Sequence, residues 1–292
     1  MKVTGFTFIK NALIYDYPVV EAIKSILPIC DEFVVAVGKS DDDTLNLIKK
    51  IDSKIRIVET VWDETLREGG KVLAVETDKA LAAISKDSDW AFYIQGDEVV
   101  HEKYLKTIKE NMVKYKDEPY VDGLLFNYLH FYGSYDYVGV SSNWYRHEIR
   151  IIKTNRSIYS YRDAQGFRKA NNEKLHVVPI DAFMYHYGWI KDPKAMQRKQ
   201  ESFHKMYHDD SWVEQNVVKA DAFDYGKHVQ VLNLFTDEHP EVMKKRIAEK
   251  NWKFDFDITR NSLTLKDKIK VFLRKYLGLD LGYKNYRKLH YK

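Results

Sequence analysis

The sequence predicts an α/β fold: a mostly parallel central sheet with helices on both faces, followed by a helical extension at the C-terminus. Two observations carry that expectation. Strand and helix patterns alternate strictly through the first third of the chain, and the fourth apolar run stops abruptly at two adjacent carboxylates, Asp97 and Glu98. Strict alternation implies right-handed crossovers and parallel strands, buried on both faces.

Val3 to Ile9 reads as the first strand. Pro18 to Leu27 reads as a helix entered through a proline, whose missing N–H would have no partner in a first turn anyway. Phe33 to Val37 is the second strand, and Asp42 to Ile51 a helix whose acidic start suits the N-terminal dipole. Ile55 to Val58 is the third strand, and Lys71 to Ile84 carries apolar residues at the three- and four-residue spacing of a helix. Trp90, Phe92, Tyr93 and Ile94 give the fourth run the aromatic and β-branched content of a buried strand. Open α/β sheets bind ligands outside the C-terminal ends of their strands, where Asp97 and Glu98 emerge. Their oxygens suit a hard cation, Mg²⁺ or Mn²⁺, most useful when it also holds phosphates. They equally suit the start of a following helix, and the tetrapeptide alone does not decide.

Three stretches resemble the family 2 glycosyltransferases of the GT-A fold: Phe6-Thr-Phe-Ile-Lys-Asn-Ala12, Ser25 to Thr44 with its end Gly38-Lys-Ser-Asp-Asp-Asp-Thr44, and Asp89-Trp-Ala-Phe-Tyr-Ile-Gln-Gly-Asp-Glu98. The resemblance covers roughly the first third of the chain and is loose after Glu102. It implies nucleotide-sugar contacts at Phe8, Asn11, Ser40, Asp41 and Gln95, a divalent metal at Asp97 and Glu98, and an arginine beside the nucleotide at Arg67. In the family an Asp-x-Asp-Glu sequence ends the fourth strand, so Gln95 stands where its first aspartate is usual. A neutral amide there can bond a ribose hydroxyl but weakens divalent-cation binding.

With 292 residues, 45% of them hydrophobic, and a net charge of +4, the chain suffices for a full core and an appendage and is too weakly charged for an obligate nucleic-acid binder. Cys30 is the only cysteine, allows no internal disulfide, and reads as a buried thiol of a cytoplasmic protein. No signal-peptide pattern opens the sequence, and no apolar run approaches the roughly 20 residues that span a bilayer. The expected division is a catalytic domain over residues 1–192 and a helical extension with a basic tail over 193–292. Within the extension, Ile269, Phe272, Leu273 and Tyr276 recur at helical spacing among lysines, predicting an amphipathic helix from Lys266 to Tyr276 stopped by Gly278; Tyr283 to Lys292 is basic and aromatic. That helix either lies on an anionic membrane surface or packs on the catalytic domain, and four apolar positions, which bury little area, favour packing.

Residues suited to chemistry lie between these regions. Asn127 to Tyr137 reads as an aromatic loop fit to receive a sugar acceptor. Ile149 to Ile152 and Ser157 to Ser160 read as paired strands. An inverting sugar transfer needs a carboxylate to remove the acceptor's proton as its oxygen attacks the anomeric carbon. Asp163 is the candidate base, following a strand, preceding Gly166 and lying where the resembling family commonly places one. An ion pair with Arg162 or Arg168 is the competing reading, and Asp181 is the second candidate base. His186, within Phe183-Met-Tyr-His-Tyr-Gly-Trp189, is a candidate metal ligand, because several GT-A enzymes complete the site with a late histidine; imidazole suits Mn²⁺ better than Mg²⁺. In Arg67-Glu-Gly-Gly-Lys71, the glycines would let helix N–H groups approach a phosphate, with Arg67 and Lys71 adding charge.

The expected function is therefore transfer of a sugar, with inversion, from a nucleotide-diphosphate sugar to a glycan or lipid-linked acceptor, in polysaccharide or glycoconjugate biosynthesis. A nucleotidyltransferase would need a Gly-rich, lysine-bearing loop after the first strand, where Phe8-Ile-Lys-Asn-Ala-Leu13 offers none. A non-catalytic sugar-binding protein on a decayed transferase fold is the other alternative, supported by Gln95.

Overall fold

Alternate residues of the second apolar run enter two different cores. Phe33, Val35 and Val37 join Ile9, Ile23, Trp90 and Met112 on one face, while Val34 and Ala36 join Phe6, Val72, Ala80 and Tyr93 on the other. A strand buried on both faces has no polar side to show, which is why it reads as continuous apolar sequence.

The computed structural model describes residues 1–154, 157–217, 219–227, 231–261, 265–277 and 284–289. The chain begins with β1 (Val3–Ile9), α1 (Val19–Ile26), β2 (Glu32–Gly38), α2 (Thr44–Lys49), β3 (Ile55–Thr60), α3 (Lys71–Ala82) and β4 (Trp90–Tyr93). There follow β5 (Glu98–Val100), α4 (Leu105–Tyr115), β6 (Gly123–Tyr132), β7 (Ser134–Gly139), β8 (His147–Lys153), β9 (Ile158–Tyr161), β10 (Gly166–Lys169), β11 (Glu173–Lys174) and the long β12 (His176–Trp189). The last part holds α5 (Pro193–His204), α6 (Asp210–Asn216), β13 (Leu232–Leu234), α7 (Lys244–Ala248), α8 (Leu265–Leu277) and β14 (Arg287–Lys288).

The main sheet has the order β13-β7-β6-β8-β4-β1-β2-β3. Its β4-β1-β2-β3 run is parallel throughout, so the C-terminal ends of four strands point the same way. Antiparallel β8 joins β4 to β6, and β12 lies parallel along β6. The fold class is the one expected: α/β, with a central parallel run covered by helices on both faces.

Local departures have physical causes. The second helix begins at Thr44 rather than Asp42, because the Asp42 carboxylate turns back to accept the N–H groups of Leu13 and Ile14, each at 2.9 Å. Residues 127–137 form the β6–β7 hairpin, not a loop, turning at Gly133 with a φ of +71° that glycine adopts without steric cost. Phe131, Tyr132, Tyr135 and Tyr137 are buried there, so the run is core and not an acceptor platform. β8 and β9 do not pair with each other; β9 pairs with β10.

The part after residue 192 is less separate and less helical than expected. β13 adds to β7 and β14 adds to β12, extending the central sheet. α8 forms, and of its four apolar positions Leu273 is half-buried while Ile269, Phe272 and Tyr276 are 50%, 55% and 64% exposed. Gly278, Tyr283 and residues 290–292 of the expected stop and tail lie outside the described residues. No helix among the described residues is long and apolar enough to cross a membrane.

Candidate functional site

The loops that leave the parallel strands surround a cleft of about 840 Å³. β1 brings Phe8 to it, the turn after β1 brings Asn11, the loop after β2 brings Asp41, the loop after β3 brings Trp62, and the turn after β4 brings Gln95 and Asp97. α5 with the turn that follows it completes the lining, carrying Lys199, Phe203 and Tyr207.

One end offers aromatic faces. Phe8 and Trp62 lie 5.8 Å apart, and the Lys10 ammonium is 5.6 Å from the Trp62 ring. Asn11 has a φ of +54°, which asparagine tolerates. It exchanges two bonds with Asp41: Asn11 Nδ2 donates to Asp41 Oδ2 at 3.1 Å, and the Asp41 N–H donates to Asn11 Oδ1 at 2.8 Å. Ser40 is not a lining residue; its hydroxyl donates to the Gly38 carbonyl at 2.8 Å and accepts the Asn11 N–H at 3.0 Å, so it fixes the loop.

Arg67 lines the cleft and is fastened to Asp210 at 2.6 Å. Lys71 is exposed and does not line it, which corrects its expected role. The glycines before it serve the turn: Gly70 has a φ of +69°, its N–H donates to the Met206 carbonyl at 3.1 Å, and a Cβ there would lie 2.7 Å from the Asp163 Cβ. That N–H is therefore committed, and a side chain at Gly70 would push Asp163 away.

The turn 95–98 is clamped from beneath. Glu98 is wholly buried and accepts Arg150 Nη2 at 2.7 Å, Arg150 Nε at 2.8 Å, the Tyr128 hydroxyl at 2.8 Å and the Gln95 N–H at 3.1 Å. A bidentate guanidinium with further donors satisfies a carboxylate out of water. Glu98 does not line the cleft, so its expected place among metal ligands is corrected.

Asp97 does face the cleft. Its Oδ2 accepts the Lys199 ammonium at 3.2 Å, and His186 Nε2 lies 3.7 Å from its Oδ1. Burial works against this carboxylate, but the Lys199 ammonium above all holds it well below the usual carboxylate range. Burial likewise disfavours the Lys199 charge, yet Tyr17 and Asp97 keep its pKa above that of an ordinary lysine. His186 Nδ1 is 3.0 Å from His130 Nδ1, and His130 Nε2 is 2.7 Å from the Tyr145 carbonyl. Burial lowers both imidazoles, so both are neutral at pH 7. His130 then donates through Nε2 to the carbonyl, His186 donates through Nδ1, and the Nε2 lone pair of His186 faces Asp97.

Asp163, also in the lining, stands on a turn in which Arg162 and Ala164 have φ values of +56° and +62°. Left-handed backbone at two non-glycine residues is strained, and such strain concentrates at functional sites. Gln95 Nε2 ties the turn down by donating to the Ala164 carbonyl at 3.2 Å, and the Tyr207 hydroxyl donates to Asp163 Oδ2 at 2.8 Å. Asp181 is exposed on β12 and outside the cleft lining, because the alternation of that strand turns it outward; the second candidate base is removed.

A divalent cation does not fit this donor set. Among the described residues, no three His, Cys, Asp or Glu side chains converge to hold a metal. Glu98 is spent on Arg150, Gln95 presents a neutral amide, and Asp97 already carries an ammonium. What remains facing the cleft is one carboxylate, Asp97, already paired with an ammonium, and one imidazole, His186.

Sequence reasoning missed Lys199, Tyr17, Tyr207 and Arg150. A signal existed for the first: Met196, Lys199, Phe203 and Met206 recur at three- and four-residue spacing, a face on which a lysine is the odd member. Nothing in sequence ties Arg150 to Glu98, since that pair is made across the sheet.

No protein-family model matches the chain, and no curated protein matches it. Among solved structures, it is similar to TarS of S. aureus at 16% identity over 76% of this chain and 41% of that one, with a TM-score of 0.42. TarS residues 1–349 in complex with UDP gives 14% identity, 76% and 68% coverage and a TM-score of 0.41. Glucosyl-3-phosphoglycerate synthase from Mycobacterium tuberculosis, in complex with Mn²⁺, UDP and phosphoglyceric acid, gives 20% identity, 45% and 44% coverage and a TM-score of 0.30. The chain thus spans under half the length of the first of these. At such scores the likenesses carry no weight for chemistry, which rests on the residues of the cleft.

Proposed function

We propose that this chain is a GT-A-type glycosyltransferase that moves a sugar from a nucleotide-diphosphate sugar to an acceptor hydroxyl with inversion. The observation that carries the reading is the cleft at four parallel strand ends, lined by two carboxylates, Asp97 and Asp163. The aromatic end, Phe8 and Trp62, suits a nucleobase, and the paired Asn11 and Asp41 suit base or ribose edges. Asp163 is the base. It takes the acceptor's proton while the acceptor oxygen bonds to the anomeric carbon, and the bond from that carbon to the diphosphate breaks with its electrons leaving on the diphosphate. Tyr207 orients Asp163, and Arg67 lends positive charge to the departing phosphates.

A nucleotide-release assay over a panel of nucleotide-diphosphate sugars tests this. The wild type should release nucleotide from at least one donor, and Asp163→Asn should lower that turnover by about two to four orders of magnitude with donor affinity retained. A folded Asp163→Asn protein that keeps full turnover removes Asp163 as base; binding of a donor without any release favours the non-catalytic reading.

A further inference from the structure

We propose that the Lys199 ammonium is the resident cation of this site, supplying to the donor's diphosphate the charge that a divalent metal would bring, so that nucleotide binding is independent of metal. The proposal rests on the reading of the cleft as a nucleotide-sugar site.

The ammonium sits in a place built for it. It donates to Asp97 Oδ2 at 3.2 Å and to the Gly188 carbonyl at 3.0 Å, and it lies 5.0 Å from the Tyr17 ring. Its side chain is 13% exposed, so it is largely desolvated yet still lines the cleft. Gly188 makes the approach feasible, because a Cβ there would lie 2.7 Å from His186 Nε2 and 2.8 Å from Asp97 Oδ2. α5, which carries Lys199, is fixed at its start by Asp192, whose carboxylate accepts the N–H of Lys194 at 2.9 Å and of Ala195 at 3.2 Å. The lysine is thus delivered by a capped helix, not by a wandering loop.

The charge count at this wall agrees. Asp97 contributes one carboxylate and Lys199 one ammonium 3.2 Å from it, while Gln95 contributes a neutral amide. A divalent ion would enter a position with no net negative charge to hold it, and would have to expel the ammonium from Asp97. A diphosphate is the opposite case: Asp97 no longer repels it, and the ammonium attracts it in a desolvated setting where charge acts strongly. A second lysine, Lys191, lies 4.2 Å from the Tyr17 ring, but its ammonium donates away to the Asp16 carbonyl at 2.7 Å. Burial, and then repulsion by Lys199, push Lys191 well below the ordinary lysine range. Elsewhere along the cleft the cations Arg67, Lys10 and Lys205 are more exposed to water than Lys199, and the first two pair with Asp210 and Glu64.

Calorimetric titration of UDP and of GDP into the full chain, in EDTA and in Mn²⁺, tests the proposal. The wild type should bind one of them with affinities agreeing to about twofold in the two buffers, and Lys199→Met should weaken that binding about tenfold or more in both. Electron paramagnetic resonance of Mn²⁺ with wild-type protein and nucleotide gives a reading that needs no variant to fold: the spectrum should remain that of unbound Mn²⁺. Nucleotide binding that requires Mn²⁺, a protein-bound Mn²⁺ signal, or a Lys199→Met protein that binds like wild type in EDTA would each overturn the lysine's role while leaving the nucleotide-sugar reading intact. Failure of the wild type to bind either nucleotide in any buffer would instead overturn both.

Discussion

The cleft has two acidic corners, and they are held in opposite ways. At the Asp97 corner the carboxylate is neutralised by an ammonium and rests on a buried guanidinium–carboxylate pair. At the Asp163 corner the carboxylate stands on a strained turn and accepts a neutral phenolic hydroxyl, from Tyr207. A carboxylate fixed to a cation and kept ionised far below its usual range is a weak proton acceptor. One held by a neutral donor, which an incoming hydroxyl can replace, is suited to take a proton. The difference assigns roles that residue type alone does not: charge partner at one corner, base at the other.

The comparison breaks most readily at the buried pair. Arg150→Met would leave Glu98 wholly buried and without its guanidinium, and should cost about 3 to 5 kcal/mol of stability, read from the denaturant midpoint. A loss below about 1 kcal/mol would mean that the Asp97 corner is not locked from beneath.

A smaller effect sharpens the same point. Burial pushes Glu148, beside Arg150 on β8, up to about 8, against the pull of Arg150 and with the help of Glu98. The folded protein then keeps a proton that the unfolded chain releases near 4.5, so this stability is full below that pH and is lost as pH rises towards about 8. Melting temperature should fall over that window, and Glu148→Gln should flatten the fall. An unchanged slope in the variant would show that the charge beneath the corner is arranged otherwise.

Much of the parallel half was legible because its signals are local. Doubly buried strands such as 33–37 are apolar throughout, and helices such as α3 carry their periodicity in consecutive residues. Gln95, Asp97 and Asp163 were legible as candidates because each follows directly on a strand pattern. What sequence could not supply is made by distant segments. Lys199 reaches Asp97 across 102 positions, Arg150 reaches Glu98 across 52, and Tyr207 reaches Asp163 across 44. Adjacent carboxylates at 97 and 98 look equivalent in sequence, and only the guanidinium beneath one and the ammonium above the other separate them. The hairpin of residues 127–137 departs from expectation for a related reason: its aromatic density is that of a buried ribbon as much as of a sugar platform, and burial is decided by the elements packed against it.

The division of labour between the corners is tested most directly by a crystal structure of Asp163→Asn with an intact nucleotide-diphosphate sugar. The account predicts the nucleobase beside Phe8 and Trp62, diphosphate oxygens within hydrogen-bond reach of Lys199, and the anomeric carbon facing residue 163. A diphosphate held away from Lys199, or an anomeric carbon turned from residue 163, would contradict it.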